Sequence, residues 1–286
     1  MPIPSRSVCI ALFLTSCLAF PAMADNSQPV SDQILAEQRE ALSAATQGAG
    51  FGPQSPRDLT QSEGKNRRIF ATAPSRENMN LCNIHFHENA EHRGGRFLTY
   101  AGNGDGEGNG TGFKYDGTLS AAEMEPLGRK IGEGKHGDLA PGDTIEVHYV
   151  HTTAQVVPGP TLGSCLSESL TNPQLRVEAQ VMVLVNDETA ESFIDLAKVG
   201  IVNGYHQAVG IPTDTGDPIQ YAGSTTGPSY NKKGSPFQVT WSVRPDVKKV
   251  SIRSIEKWLS GNVFDETAAH GVRNLVTNLD LLSPIR

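Results

Sequence analysis

The sequence is poor in aromatic residues and has no extended basic run. Aromatic side chains make up 6% of the 286 residues, and the formal net charge is −7. A mildly acidic chain without a cluster of lysines and arginines is unsuited to the phosphate backbone, which excludes nucleic acid as the main partner. The 29 glycines and 18 prolines favour turns and short strands over a helical bundle.

The chain also lacks an apolar run long enough to span a membrane. Its longest, "VCIALFLTSCLAF", follows Arg6 and precedes the small-residue site "AMA" at residues 22–24. This pattern is typical of an export signal. It predicts a signal peptide over residues 1–24, a periplasmic or secreted protein, and no stable membrane insertion. Lipid attachment at Cys17 is an alternative that "LTSC" matches poorly, and no pattern indicates an oligomeric state.

Cysteine is scarce, and two of the four cysteines lie within the predicted signal. Cys82 and Cys165 remain after cleavage. Two thiols in an oxidising compartment most simply form one disulfide. The alternative is that Cys82, three residues before His85, ligates a metal.

The remaining chain divides into two parts. "SDQILAEQREALSAATQ" has helical spacing with Ser31 as a candidate N-cap, and it predicts a peripheral helical or linker segment over residues 25–49. Residues 50–286 read as one domain, in which "NIHFH", "TIEVHYVH", "AQVMVLV" and "FQVTWSV" are typical of strands. The pattern predicts an α+β, predominantly β fold. The glycine-rich insertion 101–117 is expected to be a long surface loop.

Three histidines point to a metal centre. His85 and His87 alternate along one predicted strand, so both rings project from the same face. His148 lies in the second histidine-bearing strand, which can lie beside the first. Three neutral imidazoles with an open fourth position are the arrangement of catalytic zinc. The sequence therefore predicts one zinc ion per chain, although other divalent metals fit the same ligands.

Ligating imidazoles need a partner for the second ring nitrogen. Asn83 and Glu146 each stand two residues before a predicted ligand and on the same face of its strand. They are the candidates for that role. The remaining histidines have weaker claims as ligands: His92, His136, His151, His206 and His270.

The motifs of the chain resemble those of the α-class carbonic anhydrases, and the residues within and around them are closer to the δ class. The motifs occur in the same order over about residues 50–280: "QSPRDL", "NIHFH", "EH" at 91–92, "IEVHYVH", "YAGSTTGP" and "VTWSV". "CNIHFHENAEH" and "NVFDETAAHGVRNLV" carry the δ-class likeness. The resemblance implies a single catalytic domain around a large central, mostly antiparallel sheet of the α-carbonic-anhydrase type.

The same resemblance implies the reaction and the site. The reaction is zinc-dependent reversible hydration of carbon dioxide to bicarbonate through a zinc-bound hydroxide. His85, His87 and His148 match the zinc ligands. An ungapped alignment of "YAGSTTGP" with the family motif makes Thr226 the residue that accepts a hydrogen bond from the zinc-bound hydroxide, and an alignment with one gap gives Thr225 that role. Glu91 matches the glutamate that fixes the hydroxyl group of this threonine. Val150 and Trp241 match apolar walls of the carbon dioxide pocket.

Two other functions fit parts of the sequence. "HFHENAE" also matches the H-x-H-x₃-E pattern of cupins, which would make Glu91 a fourth ligand to iron, manganese or nickel in a dioxygenase or isomerase. That interpretation leaves "YAGSTTGP" and "VTW" unexplained. A non-catalytic exported metal-binding protein is the other alternative, and it lacks the expected histidine- or cysteine-rich tract.

Overall fold

The computed structural model describes residues 28–68, 70–134, 137–225 and 231–286. Three α-helices occur in these ranges: α1 Asp32–Thr46, α2 Phe193–Leu196 and α3 Ile252–Leu259. The strands of the same ranges are β1 Asn80–Glu88, β2 Thr99–Asn103, β3 Thr111–Lys114, β4 Ile131–Gly134, β5 Gly137–Leu139, β6 Thr144–Thr152, β7 Leu175–Val185, β8 Val199–Val202, β9 Tyr205–Ala208, β10 Ile219–Ser224 and β11 Gln238–Ser251.

A five-stranded sheet in the order β1-β6-β7-β11-β10 forms the centre of the fold. Strands β1 and β6, β6 and β7, and β10 and β11 pair antiparallel, whereas β7 and β11 pair parallel. Three short hairpins, β2-β3, β4-β5 and β8-β9, stand outside this sheet. The predicted α+β, predominantly β class with a mostly antiparallel central sheet is confirmed.

Both faces of the central sheet are covered. One face carries Phe86, Val147 and Tyr149 and packs against the short helices, where the Phe86 ring contacts Trp258 of α3. The other face belongs to a second apolar cluster that includes Trp241. Because side chains alternate along a strand, His85 and His87 of β1 and His148 of β6 lie on this second face.

Strand β7 is longer than its apolar sequence predicts. The run "AQVMVLV" indicates a strand over 179–185, and the strand begins at Leu175. Arg176 and Glu178 interrupt the apolar pattern, yet both are buried. The Arg176 guanidinium donates to the Pro74 carbonyl oxygen at 2.7 Å and pairs with Glu178 at 3.3 Å. Charged side chains satisfied in this way do not mark a strand end.

The glycine-rich insertion 101–117 is only partly a loop, so the predicted long surface loop is wrong. Strand β2 reaches Asn103 and pairs with β3, which leaves residues 104–110 as the turn. Thr111 and Phe113 are buried, and the Phe113 and Ala90 main chains exchange two hydrogen bonds. Main-chain hydrogen bonds to Ala90, just after β1, hold this part of the insertion in place, and an apolar sequence pattern does not reveal them.

Helix α1 matches the helix predicted over residues 31–47, and Ser31 stands at the N-cap without a side-chain capping bond. Leu42 packs against Val276, Leu281 and Leu282. The predicted signal peptide lies outside the described residues. Where the chain is described, none of its helices is both long and apolar enough to cross a membrane.

Cys82 and Cys165 form a disulfide with a Cα–Cα distance of 5.0 Å, as predicted. The bond joins β1 to the turn that precedes β7, and both residues are fully buried. The alternative role of Cys82 as a metal ligand is therefore wrong. Its sulfur is bonded to Cys165 and is not available as a ligand.

Candidate metal centre

Two adjacent strands bring three imidazoles together. His85 and His87 project from one face of β1, and His148 of β6 is the direct register partner of His85. The ring centroids of His87 and His148 are 4.6 Å apart, and His85 lies 5.1 Å from His148. One nitrogen of each ring lies within 4.8 Å of the others. The predicted ligand set is thus a real spatial cluster.

The second nitrogen of each ring is held by an oxygen that accepts hydrogen bonds. These oxygens are Asn83 Oδ1 at 2.6 Å from His85 Nδ1, the Gly271 carbonyl at 2.7 Å from His87 Nδ1, and Glu146 Oε1 at 2.9 Å from His148 Nε2. The Asn83 amide is oriented by its Nδ2, which donates to the Gly159 carbonyl at 3.0 Å. Each held nitrogen must carry the proton, because an oxygen acceptor cannot supply one.

The tautomers of the three rings follow from these bonds. His85 and His87 present an unprotonated Nε2 to the centre of the cluster, and His148 presents an unprotonated Nδ1. His85 Nε2 and His148 Nδ1 are 3.3 Å apart with no proton to share between them. That separation is about the edge of a tetrahedron whose metal–nitrogen bonds are 2.0–2.1 Å. Facing lone pairs at this spacing fit a bound divalent cation.

Burial keeps the His85 and His87 rings neutral. It lowers the pKa of His87 to about 4, and burial together with the neighbouring His148 places the pKa of His85 well below its ordinary value. Both rings are therefore uncharged at neutral pH. Neutral imidazole is the form that ligates a metal.

Glu146 is the central hydrogen-bond acceptor behind the cluster. Its Oε1 accepts from His148 Nε2 and from His92 Nδ1 at 2.7 Å, and its Oε2 accepts from the His92 main-chain N–H at 3.1 Å. Burial alone would raise the pKa of this carboxyl group, but the interactions with His92 and His148 outweigh it and place the pKa well below its ordinary value. Glu146 is an ionised, fully buried carboxylate.

A buried hydrogen-bond chain extends from His92 to the segment before β1. His92 Nε2 lies 2.7 Å from the Tyr221 hydroxyl, which lies 3.1 Å from the Ser55 hydroxyl. Ser55 also accepts from the Ser224 main-chain N–H at 3.0 Å. Sequence reasoning missed the roles of Tyr221 and Ser55. Both lie within motifs shared with the carbonic anhydrases, "YAGSTTGP" and "QSPRDL", and those motifs are the sequence signal from which their roles could have been predicted.

Glu91 lies behind the histidine rings. Its Oε1 accepts from the Arg273 main-chain N–H at 3.0 Å and lies 3.9 Å from His87 Nδ1, while Oε2 lies 4.0 Å from His148 Nε2. Both nitrogens are the held ones, so Glu91 is directed at the outer side of the cluster. A bond from a threonine to this carboxylate remains a prediction.

Thr225 and Thr226 are the two candidates for the threonine of the site. Thr225 is buried, and its hydroxyl lies 3.1 Å from the Ser235 hydroxyl. Its main-chain N–H donates to the Phe237 carbonyl at 3.0 Å, which continues the β10-β11 pairing by one residue. Thr226 lies outside the described residues.

The predicted apolar residues border the cluster. The Trp241 ring lies edge-on to the His148 ring with a centroid distance of 5.0 Å, and its Nε1 donates to the Ser224 carbonyl at 3.2 Å. Val150 follows His148 by two residues on the same face of β6 and is fully buried. Their role as a carbon dioxide wall remains a prediction.

Among the described histidines outside the ligand set, His270 lies beside the cluster, although its place in the sequence indicates only a weak claim as a ligand. Its ring centroid lies 5.4 Å from His85 and 5.8 Å from His87. Its Nε2 lies 2.6 Å from Glu266 Oε2, and this hydrogen bond raises the pKa of His270. The side chain is half exposed. His270 thus borders the cluster with one nitrogen already committed elsewhere.

Other histidines lie apart from the cluster. His151 is on the opposite face of β6, where its Nδ1 bonds to the Tyr149 carbonyl at 3.0 Å and burial lowers its pKa to about 3. His206 belongs to the outlying strand β9. His136 lies outside the described residues.

Comparison with known proteins gives a family and several remote structures. The family model described as "Delta carbonic anhydrase" matches residues 76–254, which is more than half of the chain. The comparison with curated protein sequences gives no match.

Solved carbonic anhydrase structures align over most of the chain at low identity. An α-carbonic anhydrase from Thermovibrio ammonificans, solved with the inhibitor sulfanilamide, is 18% identical, with 80% of this chain and 84% of that chain covered and a TM-score of 0.29. A halotolerant carbonic anhydrase from Dunaliella salina is 15% identical, with 85% and 93% covered and a TM-score of 0.34. These TM-scores are low, and the family assignment rests on the family model.

Proposed function

This chain belongs to the delta carbonic anhydrase family, and we propose that it catalyses the reversible hydration of carbon dioxide at a zinc ion held by His85, His87 and His148. One observation carries the proposal. Three unprotonated ring nitrogens face one another, and two of them are 3.3 Å apart without a shared proton. Such facing lone pairs repel unless a cation lies between them.

Zinc, when bound, would supply the nucleophile, since three imidazole ligands lower the pKa of a coordinated water from 15.7 to about 7. The protein's part is to fix the ligands. Asn83, the Gly271 carbonyl and Glu146 each hold one ring in the tautomer that points a lone pair inward. The anionic Glu146 also makes the His148 ring a stronger electron donor.

The substrate contacts belong to the same proposal. Carbon dioxide has few groups that a protein can hydrogen-bond, so an apolar wall suits it, and Val150 and Trp241 offer one beside His148. Glu91 is proposed to accept a hydrogen bond from the hydroxyl group of Thr226 or Thr225. A threonine committed in this way can accept a hydrogen bond at the reacting oxygen, but it cannot donate one.

The cupin alternative requires Glu91 as a fourth ligand. Its oxygens lie nearest to the held nitrogens of His87 and His148, not to the nitrogens that face the centre. This geometry favours three protein ligands with one position left for the reacting oxygen. Structural zinc sites use four protein ligands, whereas catalytic zinc keeps one position open, so this arrangement suits a reaction.

We further propose that the protein works outside the cytoplasm, in the periplasm or as a secreted enzyme. The sequence of residues 1–24 is that of an export signal. The Cys82–Cys165 disulfide supports this location, since disulfides persist in oxidising compartments.

Stopped-flow hydration of carbon dioxide by the purified mature chain tests the proposal. We expect fast hydration, about one zinc per chain, and loss of both after dialysis against a chelator. Activity should return when zinc is added. A fully loaded chain that fails to hydrate carbon dioxide above the buffer rate would refute the proposed reaction, and iron or manganese in the site would favour the cupin alternative.

A further inference from the structure

The segment 270–274 supplies two main-chain contacts to the centre. The Gly271 carbonyl holds His87, and the Arg273 N–H holds Glu91. Apart from one bridge between His270 and His87, this segment belongs to no strand or helix. At this bridge the His270 N–H donates to the Phe86 carbonyl and the His270 carbonyl accepts from the Glu88 N–H, both at 2.9 Å. Residues 271–274 lie beyond it, so their placement depends on other hydrogen bonds.

Several parts of the chain hold this segment. The Asn274 N–H donates to Asn231 Oδ1 at 2.9 Å, and the Arg273 guanidinium donates to the Ser55 carbonyl at 2.7 Å.

Two further contacts lead to the inserted turn and to helix α1. The Val272 N–H donates to the Gly108 carbonyl at 2.7 Å, which ties the segment to the turn 104–110 of the glycine-rich insertion. The side chain of Asn274 donates through Nδ2 to Gln38 Oε1 of α1 at 2.9 Å. Helix α1 and the turn 104–110 thus both contact segment 270–274, whose Gly271 carbonyl orients His87.

Gln38 is the residue that joins the two. Its side chain is buried, and both ends of its amide are used: Oε1 accepts from Asn274, and Nε2 donates to the Gly106 carbonyl at 2.8 Å. Gly106 is two residues from Gly108, whose carbonyl holds Val272. A single side chain of α1 thereby contacts both segment 270–274 and the turn that holds it.

Glycine is favoured at Gly106 by a left-handed backbone conformation and by the closeness of the chain just before α1. Gly106 has a φ of +78°, and a Cβ atom there would lie 3.2 Å from Val30 Cγ1. Gly271 is similarly crowded, since a Cβ atom would lie 2.8 Å from the Gly108 carbonyl oxygen. The turn is packed between the residues that lead into α1 and segment 270–274.

We propose that Gln38 is a positioning residue of the metal centre. Through Asn274 on one side and Gly106 on the other, it keeps the Gly271 carbonyl in hydrogen-bond contact with His87 and the Arg273 N–H in contact with Glu91. The inference rests on the proposed function. It assigns a role in that function to helix α1, which lies outside the residues 76–254 matched by the family model.

The test uses two variants of the full mature chain. Gln38→Met keeps the length and volume of the side chain and removes both hydrogen bonds. Leu42→Ala, on the same helix, loosens its packing against Val276 and Leu281 while leaving Gln38 in place. Each protein is loaded with zinc, and release of zinc to a chromogenic chelator is followed with time. The visible spectrum of the cobalt-substituted protein reports ligand geometry.

We expect Gln38→Met to release zinc about threefold to tenfold faster than wild type, a smaller effect than the 10- to 100-fold typical of a direct partner of a ligand. Its cobalt spectrum should change, and kcat should fall while KM stays close to that of wild type. Leu42→Ala should lower the thermal midpoint without changing zinc release.

Two results would overturn the inference. Zinc release from Gln38→Met at the wild-type rate would show that the amide does not act on the centre. Equal acceleration in Gln38→Met and Leu42→Ala would show that only the docking of α1 matters. Failure of the proposed function is separable, because a wild-type chain that binds zinc but does not hydrate carbon dioxide leaves the comparison of zinc release fully informative.

Discussion

Replacing His148 with alanine is expected to remove zinc from the protein and to lower the rate of carbon dioxide hydration by at least about a thousandfold, since without the metal no water is ionised near neutral pH. Two imidazoles remain in that variant. They lose the nitrogen that lies 3.3 Å from His85 Nε2 and closes the ligand set. Metal analysis and stopped-flow hydration on one preparation measure both effects.

His270→Ala is the matched control, because this histidine borders the same cluster at 5.4 Å from the His85 ring. Its Nε2 is committed to Glu266, so removal should leave the zinc content at about one per chain. A His148→Ala protein that still holds zinc as tightly as wild type would contradict the ligand assignment. A zinc-free His270→Ala protein would show that the centre needs a fourth histidine.

Glu146→Gln is expected to weaken zinc binding by about 10- to 100-fold and to destabilise the fold by about 3–5 kcal/mol. The carboxylate accepts hydrogen bonds from two nitrogens of His92 and from His148 Nε2. A glutamine keeps one acceptor oxygen and places an NH₂ group against a donor. At least one of the three bonds must then break inside a fully buried site, and the acceptor of His148 loses its negative charge.

Denaturant unfolding of the metal-free protein and competitive zinc titration separate the two effects. Glu178→Gln serves as the control, since this carboxylate is also buried but lies on the opposite face of the sheet, paired with Arg176. It should lose stability without losing zinc affinity. Unchanged zinc affinity in Glu146→Gln would show that Glu146 has only a structural role.

The side-chain part of the centre could be predicted from the sequence. Alternation along a strand places His85 and His87 on one face, and Asn83 and Glu146 stand at the spacing that suits partners of the ligands. Their hydrogen bonds to His85 and His148 have lengths of 2.6 and 2.9 Å. These relations are local, within two residues on one strand, which is why pattern alone reaches them.

Relations between distant segments could not be predicted in the same way. The partner of His87 is the Gly271 carbonyl, 184 positions away, and a main-chain oxygen leaves no mark in the sequence. The Tyr221–Ser55 contact joins groups 166 positions apart, and either residue alone reads as an ordinary polar residue.

The errors in the fold have a related cause. Strand β7 was predicted too short because Arg176 and Glu178 interrupt its apolar run, although both are satisfied by hydrogen bonds and an ion pair. The insertion was predicted as a surface loop because glycine and aspartate dominate it, although Phe113 pairs through its main chain with Ala90. Composition reports local preference, whereas these segments are fixed by partners elsewhere in the chain.

The zinc K-edge X-ray absorption spectrum of the purified mature protein tests the central claim most directly. Three ring nitrogens at 2.0–2.1 Å, with the outer-shell scattering of imidazole and one further oxygen at a similar distance, are the expected result. A sulfur neighbour at about 2.3 Å, or a shell of six oxygens, would contradict a centre built from His85, His87 and His148.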